Sequence, residues 1–220
     1  TAGIPAGAYA IYGGYVGDPA VMGKLYDDIV GPVLKELPAL GDEGKAFMEV
    51  IAAYRTSVTA VEAGAFGLTL DAAAGEKGML GGVQITRGDA KAILQATQKA
   101  SELQGKLQEL FPAMGPKQKL TVKDDAATID GVSFKSMNMT IEVDPNKPEE
   151  AMAGQFMNAL FGKGGMTMLY GTSDDRTLLS VVGSDPALAG RLVAAVKQGD
   201  DPLSAMETVK AVSAKLPARR

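Results

Sequence analysis

Four Asp-Pro dipeptides divide this chain and set much of its element order. They stand at residues 18–19, 144–145, 185–186 and 201–202. Aspartate accepts hydrogen bonds from the first free amides of a helix, and proline at the first helical position loses no hydrogen bond. Apolar residues recur with helical period after three of the four, which predicts helices beginning at Pro19, Pro186 and Pro202. After Asp144 we expect the helix to begin later, at Pro148.

The hydrophobic patterns between these Asp-Pro dipeptides predict the remaining strands and helices. Period-two alternation predicts a strand, and a period of about 3.6 predicts a helix. The predicted strands cover 8–15, 61–70, 79–86, 119–123, 132–143, 166–172 and 177–183. The predicted helices cover 19–37 with an interruption at Gly31-Pro32, 42–58, 89–111, 148–161, 186–198 and 202–216. A shift of apolar phase between Phe134 and Met137 predicts a β-bulge near Lys135 and Ser136.

The predicted order is β-α-α-β-β-α-β followed by β-α-β-β-α-α, so each half approximates a split β-α-β unit. Such units form antiparallel sheets with helices packed mainly on one face. We therefore predict an α+β fold with one continuous, twisted antiparallel sheet, because no flexible linker separates the halves. The domain is 1–220, either as one unit or as two similar halves, 1–123 and 124–220. The terminal residues are typical of a segment processed or excised from a longer chain.

A short internal repeat relates the two halves. Residues 18–25 (DPAVMGKL) match residues 185–192 (DPALAGRL), and each segment follows a strand that ends in glycine. Either a module has been duplicated, or the same strand-to-helix capping chemistry arose twice. In each segment the glycine five residues after the aspartate, Gly23 or Gly190, is expected inside a helix, where it would permit close packing on a neighbour.

The chain contains no histidine, cysteine or tryptophan. This composition excludes a thiol nucleophile, a Ser-His-Asp triad and imidazole-bound metals. Carboxylates and lysines remain, but no spacing marks an acid–base site, so we predict no catalytic residue, no enzyme activity and no cofactor. The net charge of -4 provides no basic surface, which argues against nucleic acid as a partner. No apolar run reaches the ~18 residues of a membrane-spanning helix.

Four methionines are the candidate metal ligands. Met137 and Met139 share one strand face, as do Met166 and Met168, because side chains alternate along a strand. Thioethers select Cu(I), and this favours a copper site. Alternatively, the same side chains fill irregular gaps in the core. A titration of the reduced protein with Cu(I), against a denatured control, separates the two interpretations.

The expected function is binding rather than turnover. The first hypothesis is a non-catalytic domain that contacts a protein partner, an envelope surface or a second copy of itself. The alternative is a carrier that holds an apolar small molecule between the sheet and its helices. The candidate ligand-binding residues are Phe134, Met139, Phe156 and Met168.

Three segments carry a resemblance to known proteins. They are IPAGAYAIYGG at 4–14, IDGVSFKSMNMTIE at 129–142 and TLLSVVGSDPALAGRLVAAV at 177–196. In pattern they are similar to exported bacterial proteins of unknown function, the Ala- and Gly-rich α+β proteins of planctomycete-like and cyanobacterial envelopes. The resemblance implies an extracytoplasmic setting, in the periplasm or at the cell surface, and no known activity or functional residue.

Overall fold

A computed structural model describes residues 3–36, 41–73, 75–110, 118–144, 147–183, 185–198 and 203–214. Within these ranges the chain forms seven β-strands and six α-helices. The strands are β1 (Ile11–Val16), β2 (Val61–Leu70), β3 (Leu80–Gly88), β4 (Gln118–Ile129), β5 (Val132–Ile141), β6 (Met166–Asp174) and β7 (Thr177–Val182). The helices are α1 (Pro19–Glu36), α2 (Gly41–Thr59), α3 (Ala90–Leu110), α4 (Pro148–Phe161), α5 (Pro186–Lys197) and α6 (Glu207–Ser213).

All of these strands belong to one antiparallel sheet with the order β1-β2-β3-β7-β6-β5-β4. The centre of the sheet is the pairing of β3 with β7, in which Gly82 lies opposite Val182 and Arg87 opposite Thr177. The predicted α+β fold with one continuous antiparallel sheet is confirmed. The boundary proposed between residues 123 and 124 falls inside β4.

Helices cover both faces of the sheet. On one face, the α3 face, α2 packs on α3 and α1 packs on α2. On the opposite face, the α5 face, Leu179 and Val181 share a core with Leu192 and Val193. The expectation of helices mainly on one face is therefore corrected. The reason is that residues 177–181 of β7 are all buried. Side chains on both faces of this strand therefore need helices to cover them.

The main hydrophobic core lies on the α5 face. Its fully buried residues include Ile4, Phe134, Leu179, Leu192, Val193 and Leu203. A smaller cluster of Val50, Ala53 and Leu103 joins α2 to α3. The helices over the α3 face are thus held to one another, and room remains between them and the sheet.

Two Asp-Pro steps cap helices as predicted. The Asp18 carboxylate accepts hydrogen bonds from the amides of Ala20 at 2.8 Å and Val21 at 3.2 Å. The Asp185 carboxylate accepts one from the Ala187 amide at 2.9 Å. The helix α4 begins at Pro148, also as predicted. The steps at 144–145 and 201–202 include residues outside the described ranges.

The helix α1 is continuous, so the predicted interruption at Gly31-Pro32 is wrong. Proline lacks the amide that would bond to the carbonyl four residues earlier, at Asp28. Asp28 is exposed, so water can replace the missing donor at its carbonyl. At the other end of the chain, the helix predicted over 202–216 is a 3₁₀ turn (Leu203–Ala205) followed by α6. Residues 202 and 215–216 lie outside the described ranges.

The predicted β-bulge is present, but its extra residues lie in β4. Lys123 pairs with Ser136 and Ala127 with Phe134, so residues 124–126 lie opposite one residue of β5. The strand β4 therefore extends well past its predicted end at residue 123. The turn between β4 and β5 at residues 130–131 has φ of 45° and 75°, as a tight Asp-Gly hairpin requires.

Among the described residues, no helix combines the length and the apolar character needed to cross a lipid bilayer.

Candidate functional site

A cavity of about 500 Å³ lies between the α3 face of the sheet and the helices above it. Its floor comes from β3, β6 and β7, its roof from α2 and α3, and its outer end from β1 and the first turns of α1. Small-molecule sites typically occupy roughly 300 to 1,000 Å³. The cavity is therefore large enough for a small organic ligand.

The roof of the cavity is apolar. Ile93 and Leu94 of α3 and Val58 of α2 face the floor. The Asp89 carboxylate caps α3 by accepting a hydrogen bond from the Ala92 amide at 2.9 Å, which fixes where the helix begins and so which residues point inward. A ligand in this cavity would contact aliphatic side chains along its upper surface.

Polar side chains form a row across the floor. Ser180 of β7 lies opposite Gln84 of β3 and opposite Tyr170 of β6. Paired residues of antiparallel strands project to the same face, so these three side chains, here called the polar row, lie side by side. Tyr170 is 3% exposed and Ser180 is 9% exposed, whereas Gln84 is exposed. The row therefore runs from a solvent-accessible end to a buried one.

The hydroxyls of the floor and roof differ in their hydrogen bonding. In the roof, Thr97 donates to the Ile93 carbonyl at 2.8 Å and Ser57 donates to the Tyr54 carbonyl at 2.7 Å. In the floor, no side-chain hydrogen bond joins Tyr170 or Ser180 to another described residue. Among the described residues, every side-chain oxygen or nitrogen that is fully shielded from solvent has a hydrogen-bond partner. The Tyr170 and Ser180 hydroxyls are therefore reached by solvent, and because both residues line the cavity, a ligand there can replace that solvent.

The described lining contains no aspartate, glutamate, lysine or arginine. Next to the polar row, Lys135 of β5 lies opposite Tyr170 but outside the lining. Its ammonium is 2.6 Å from the Asp124 carboxylate. The hydrogen bond to Asp124 raises the pKa of Lys135, so its ammonium stays charged and paired with that carboxylate. The cavity therefore has an uncharged lining.

The outer end of the cavity opens beside β1. Val16 is 71% exposed and Tyr15 is 44% exposed, although both line the cavity. Met22, in the first turns of α1, is half-buried at the same end. A ligand thus has a path to the interior between apolar side chains.

Of the predicted ligand-binding residues, only Met168 lines this cavity. Met139 lies on the same face but nearer the sheet edge, opposite Met166. Phe134 is fully buried in the core of the α5 face, and Phe156 of α4 is 63% exposed. The structure therefore does not bring the four together. The bulge explains the error, because its extra residues lie in β4 and leave the alternation of β5 intact, with Phe134 and Met139 on opposite faces.

The four predicted metal ligands do lie together. Met137 is opposite Met168, and Met139 is opposite Met166, all on the α3 face. The Ser101 hydroxyl oxygen lies 3.5 Å from the Met137 sulfur. Side chains of this kind pack well against a covering helix, and thioethers also bind Cu(I). The copper site and the alternative interpretation, that these methionines fill gaps in the core, therefore both stay predictions. Among the described residues, no group of acidic side chains is placed to hold a metal ion.

A second cavity of about 510 Å³ lies at the other end of β3 and β7. Its lining includes Asp71, Lys77, Asp185 and Arg191. The Asp71 carboxylate already accepts a hydrogen bond from the Ala73 amide at 2.9 Å, and Asp185 caps α5. Because these carboxylates serve a turn and a helix end, the cavity on the α3 face is the stronger candidate.

Sequence reasoning missed the polar row and the neighbouring Thr86, which is 5% exposed and also lines the floor. A usable signal was present. Ser180 interrupts the apolar run LLSVV, and Gln84 and Thr86 interrupt the apolar residues of VQIT. A polar residue inside a buried strand needs a partner, which is a reason to look for a ligand.

The site is defined by its geometry alone, because no protein-family model, curated protein or solved structure matches this chain.

Proposed function

We propose that this protein binds a small, largely apolar molecule in the cavity on the α3 face, without transforming it. The observation that supports the proposal is an uncharged cavity of about 500 Å³ with an aliphatic roof. Transfer of apolar surface from water into such a site contributes about 25 cal/mol per Å². A ligand with the shape of the cavity would therefore gain affinity mainly from its apolar surface.

The lining favours binding over catalysis. Its described residues provide neither a carboxylate nor an amine that could act as a general acid or base on a bound molecule. Its titratable side chains are Tyr15 and Tyr170. This chemistry is suited to a carrier, which holds its ligand and releases it unchanged.

The proposal is tested with Nile red, a neutral apolar dye whose fluorescence rises in an apolar site. Leu94→Trp places a larger side chain in the roof, whereas Gln95→Trp is a matched control at an exposed position of the same helix. We expect Leu94→Trp to weaken dye binding at least about tenfold and Gln95→Trp to leave it unchanged. Native mass spectrometry of the purified protein should also show a retained small molecule.

Two results would contradict this proposal. One is equal dye binding by both tryptophan variants, which would place the dye elsewhere. The other is a protein that neither retains a ligand nor binds the dye.

A second candidate function is self-association through the edge strand β1. Among the described strands, β2 is the one that pairs with β1, whose sequence IYGGYV carries no charge. Ile11 is 57% exposed and Val16 is 71% exposed. The opposite edge, β4, carries Lys119, Lys123 and the bulge, features that block pairing between edges. The contrast favours a second copy of the chain as the partner of β1.

Light scattering after size-exclusion chromatography tests this candidate. We expect a dimer that Ile11→Lys converts to a monomer, because the new charge would be buried in the joined edge. Val122→Lys on β4 is the matched control and should leave the dimer intact. A wild-type monomer at all concentrations would contradict self-pairing. The proposed partner of β1 would then be a protein or surface of the cell envelope, in an extracytoplasmic setting.

A further inference from the structure

We propose that the ligand of the cavity is uncharged and carries a hydroxyl or carbonyl oxygen that binds at the polar row of Gln84, Ser180 and Tyr170. This inference rests on the proposed function and specifies its ligand class.

The lining excludes a charged ligand group. No described lining residue bears a charge that could compensate a buried carboxylate or ammonium. The Lys135 ammonium, on the residue opposite Tyr170, is already held by Asp124 at 2.6 Å. Burial of an unpaired ion is far more costly than burial of a neutral polar group. A carboxylate analogue of the ligand is therefore expected to bind more weakly than its neutral counterpart.

The floor favours a ligand with an oxygen over a hydrocarbon. Tyr170 and Ser180 are at least nine-tenths buried, line the cavity and have no side-chain hydrogen bond to a described residue. A hydrocarbon in the cavity would displace the water that can reach these hydroxyls and would offer no bond in return. Binding sites of this kind discriminate against analogues that lack the hydrogen-bonding group.

The positions of the polar groups also orient the ligand. Both hydroxyls can donate to a ligand oxygen, and the Gln84 amide can donate or accept. All three lie in the floor, whereas the roof hydroxyls of Ser57 and Thr97 are already bonded to backbone carbonyls. The ligand would therefore direct its oxygen to the sheet and its apolar surface to α2 and α3.

The test compares rigid probes of similar size as competitors of Nile red at neutral pH. The probes are naphthalene, 2-naphthol, 2-acetonaphthone and 2-naphthoate. We expect the two neutral oxygen-bearing probes to bind up to about tenfold more tightly than naphthalene, the ratio that one hydrogen bond can provide. We expect the anionic 2-naphthoate to bind most weakly.

Two variants connect this preference to the row. Ser180→Ala and Tyr170→Phe each remove one hydroxyl with little change of shape, and each should reduce the preference for 2-naphthol over naphthalene. Ser101→Ala is the control, because Ser101 lies on α3 outside the lining and donates to the Thr97 carbonyl at 2.9 Å. It should preserve the full preference.

The outcomes separate the two proposals. Equal binding of naphthalene and 2-naphthol, tightest binding of 2-naphthoate, or a preference that persists in both variants would overturn this inference. In those cases the proposed function stands as long as Leu94→Trp abolishes dye binding. Failure of the wild-type protein to bind the dye or any probe would overturn both.

Discussion

At the residue scale, the two glycines of the internal repeat occupy different surroundings. A Cβ atom on Gly23 would lie 3.3 Å from the Thr59 methyl group, at the contact between α1 and α2. A Cβ atom on Gly190 would meet nothing within 4 Å. Close packing therefore explains the first glycine and not the second. What the repeat shares in the structure is the aspartate cap at Asp18 and Asp185.

We expect Gly190→Ala to raise the free energy of unfolding by about 0.5 to 1 kcal/mol, because alanine loses less conformational entropy in a helix. Urea unfolding measures the change. Gly88→Ala is the contrasting variant: its φ is 151°, and a Cβ atom would lie 1.9 Å from the Ala60 carbonyl oxygen. It should destabilise the fold. A loss of stability in Gly190→Ala would show that the open space at this position is needed.

At the element scale, polar contacts hold α1 to α2. Arg55 donates two hydrogen bonds to Asp27, each 2.8 Å long, and the Tyr26 hydroxyl donates to the Ile51 carbonyl at 2.5 Å. The outer side of α1 carries apolar residues that remain exposed: Val21, Leu25, Ile29 and Val33. The attachment of this helix should therefore depend on the ionisation of Asp27.

The hydrogen bonds from Arg55 hold the pKa of Asp27 below its ordinary value of 3.8. A lowered pKa stabilises the fold above the ordinary value and loses that effect as the pH falls through the folded-state pKa. We expect Asp27→Asn to reduce urea stability at neutral pH, and this deficit to shrink as the pH falls below 3.8. Asp28→Asn is the control, since Asp28 pairs within α1 with Lys24 at 2.5 Å. An unchanged deficit for Asp27→Asn at low pH would contradict the role of the ion pair.

Local signals predicted most elements but not the details set by long-range pairing. The caps at Asp18 and Asp185 and the Asp-Gly turn depend on neighbouring residues, so the sequence reveals them. The bulge at 124–126 depends on how β4 pairs with β5, and its Asp-Asp sequence is equally typical of a turn. A bulge in β5 would place Phe134 and Met139 on one face, whereas the bulge in β4 leaves them on opposite faces.

At the scale of the whole molecule, the two faces of the sheet are packed differently. The α5 face is filled by a continuous core around Phe134 and Leu192. The α3 face holds the cavity. Ser180 marks the α3 face of β7 in the sequence, but the size of the cavity is not visible there, because the distance of the covering helices depends on their contacts with each other.

Substitution of two predicted ligand-binding residues, Phe134 and Phe156, tests which of them belongs to the core of the α5 face. Phe134→Ala should lower the free energy of unfolding by about 3 to 5 kcal/mol, because it removes a fully buried ring. Phe156→Ala, at an exposed position of α4, should change it by less than about 0.5 kcal/mol. Thermal or urea unfolding provides both values. Similar losses in the two variants would contradict the assignment of Phe134 to the core and of Phe156 to the surface.

The pairing of β3 with β7 also constrains the order in which the molecule can assemble. Arg87 and Thr177 are paired although 90 positions separate them in the chain. Contacts between such distant segments slow folding, because a long loop must close before any of them is gained. During synthesis the first three strands are made well before β7, so they await a neighbour that emerges only after β4, β5 and β6. The pairing of β3 with β7 is therefore expected to form after the hairpin of β2 with β3.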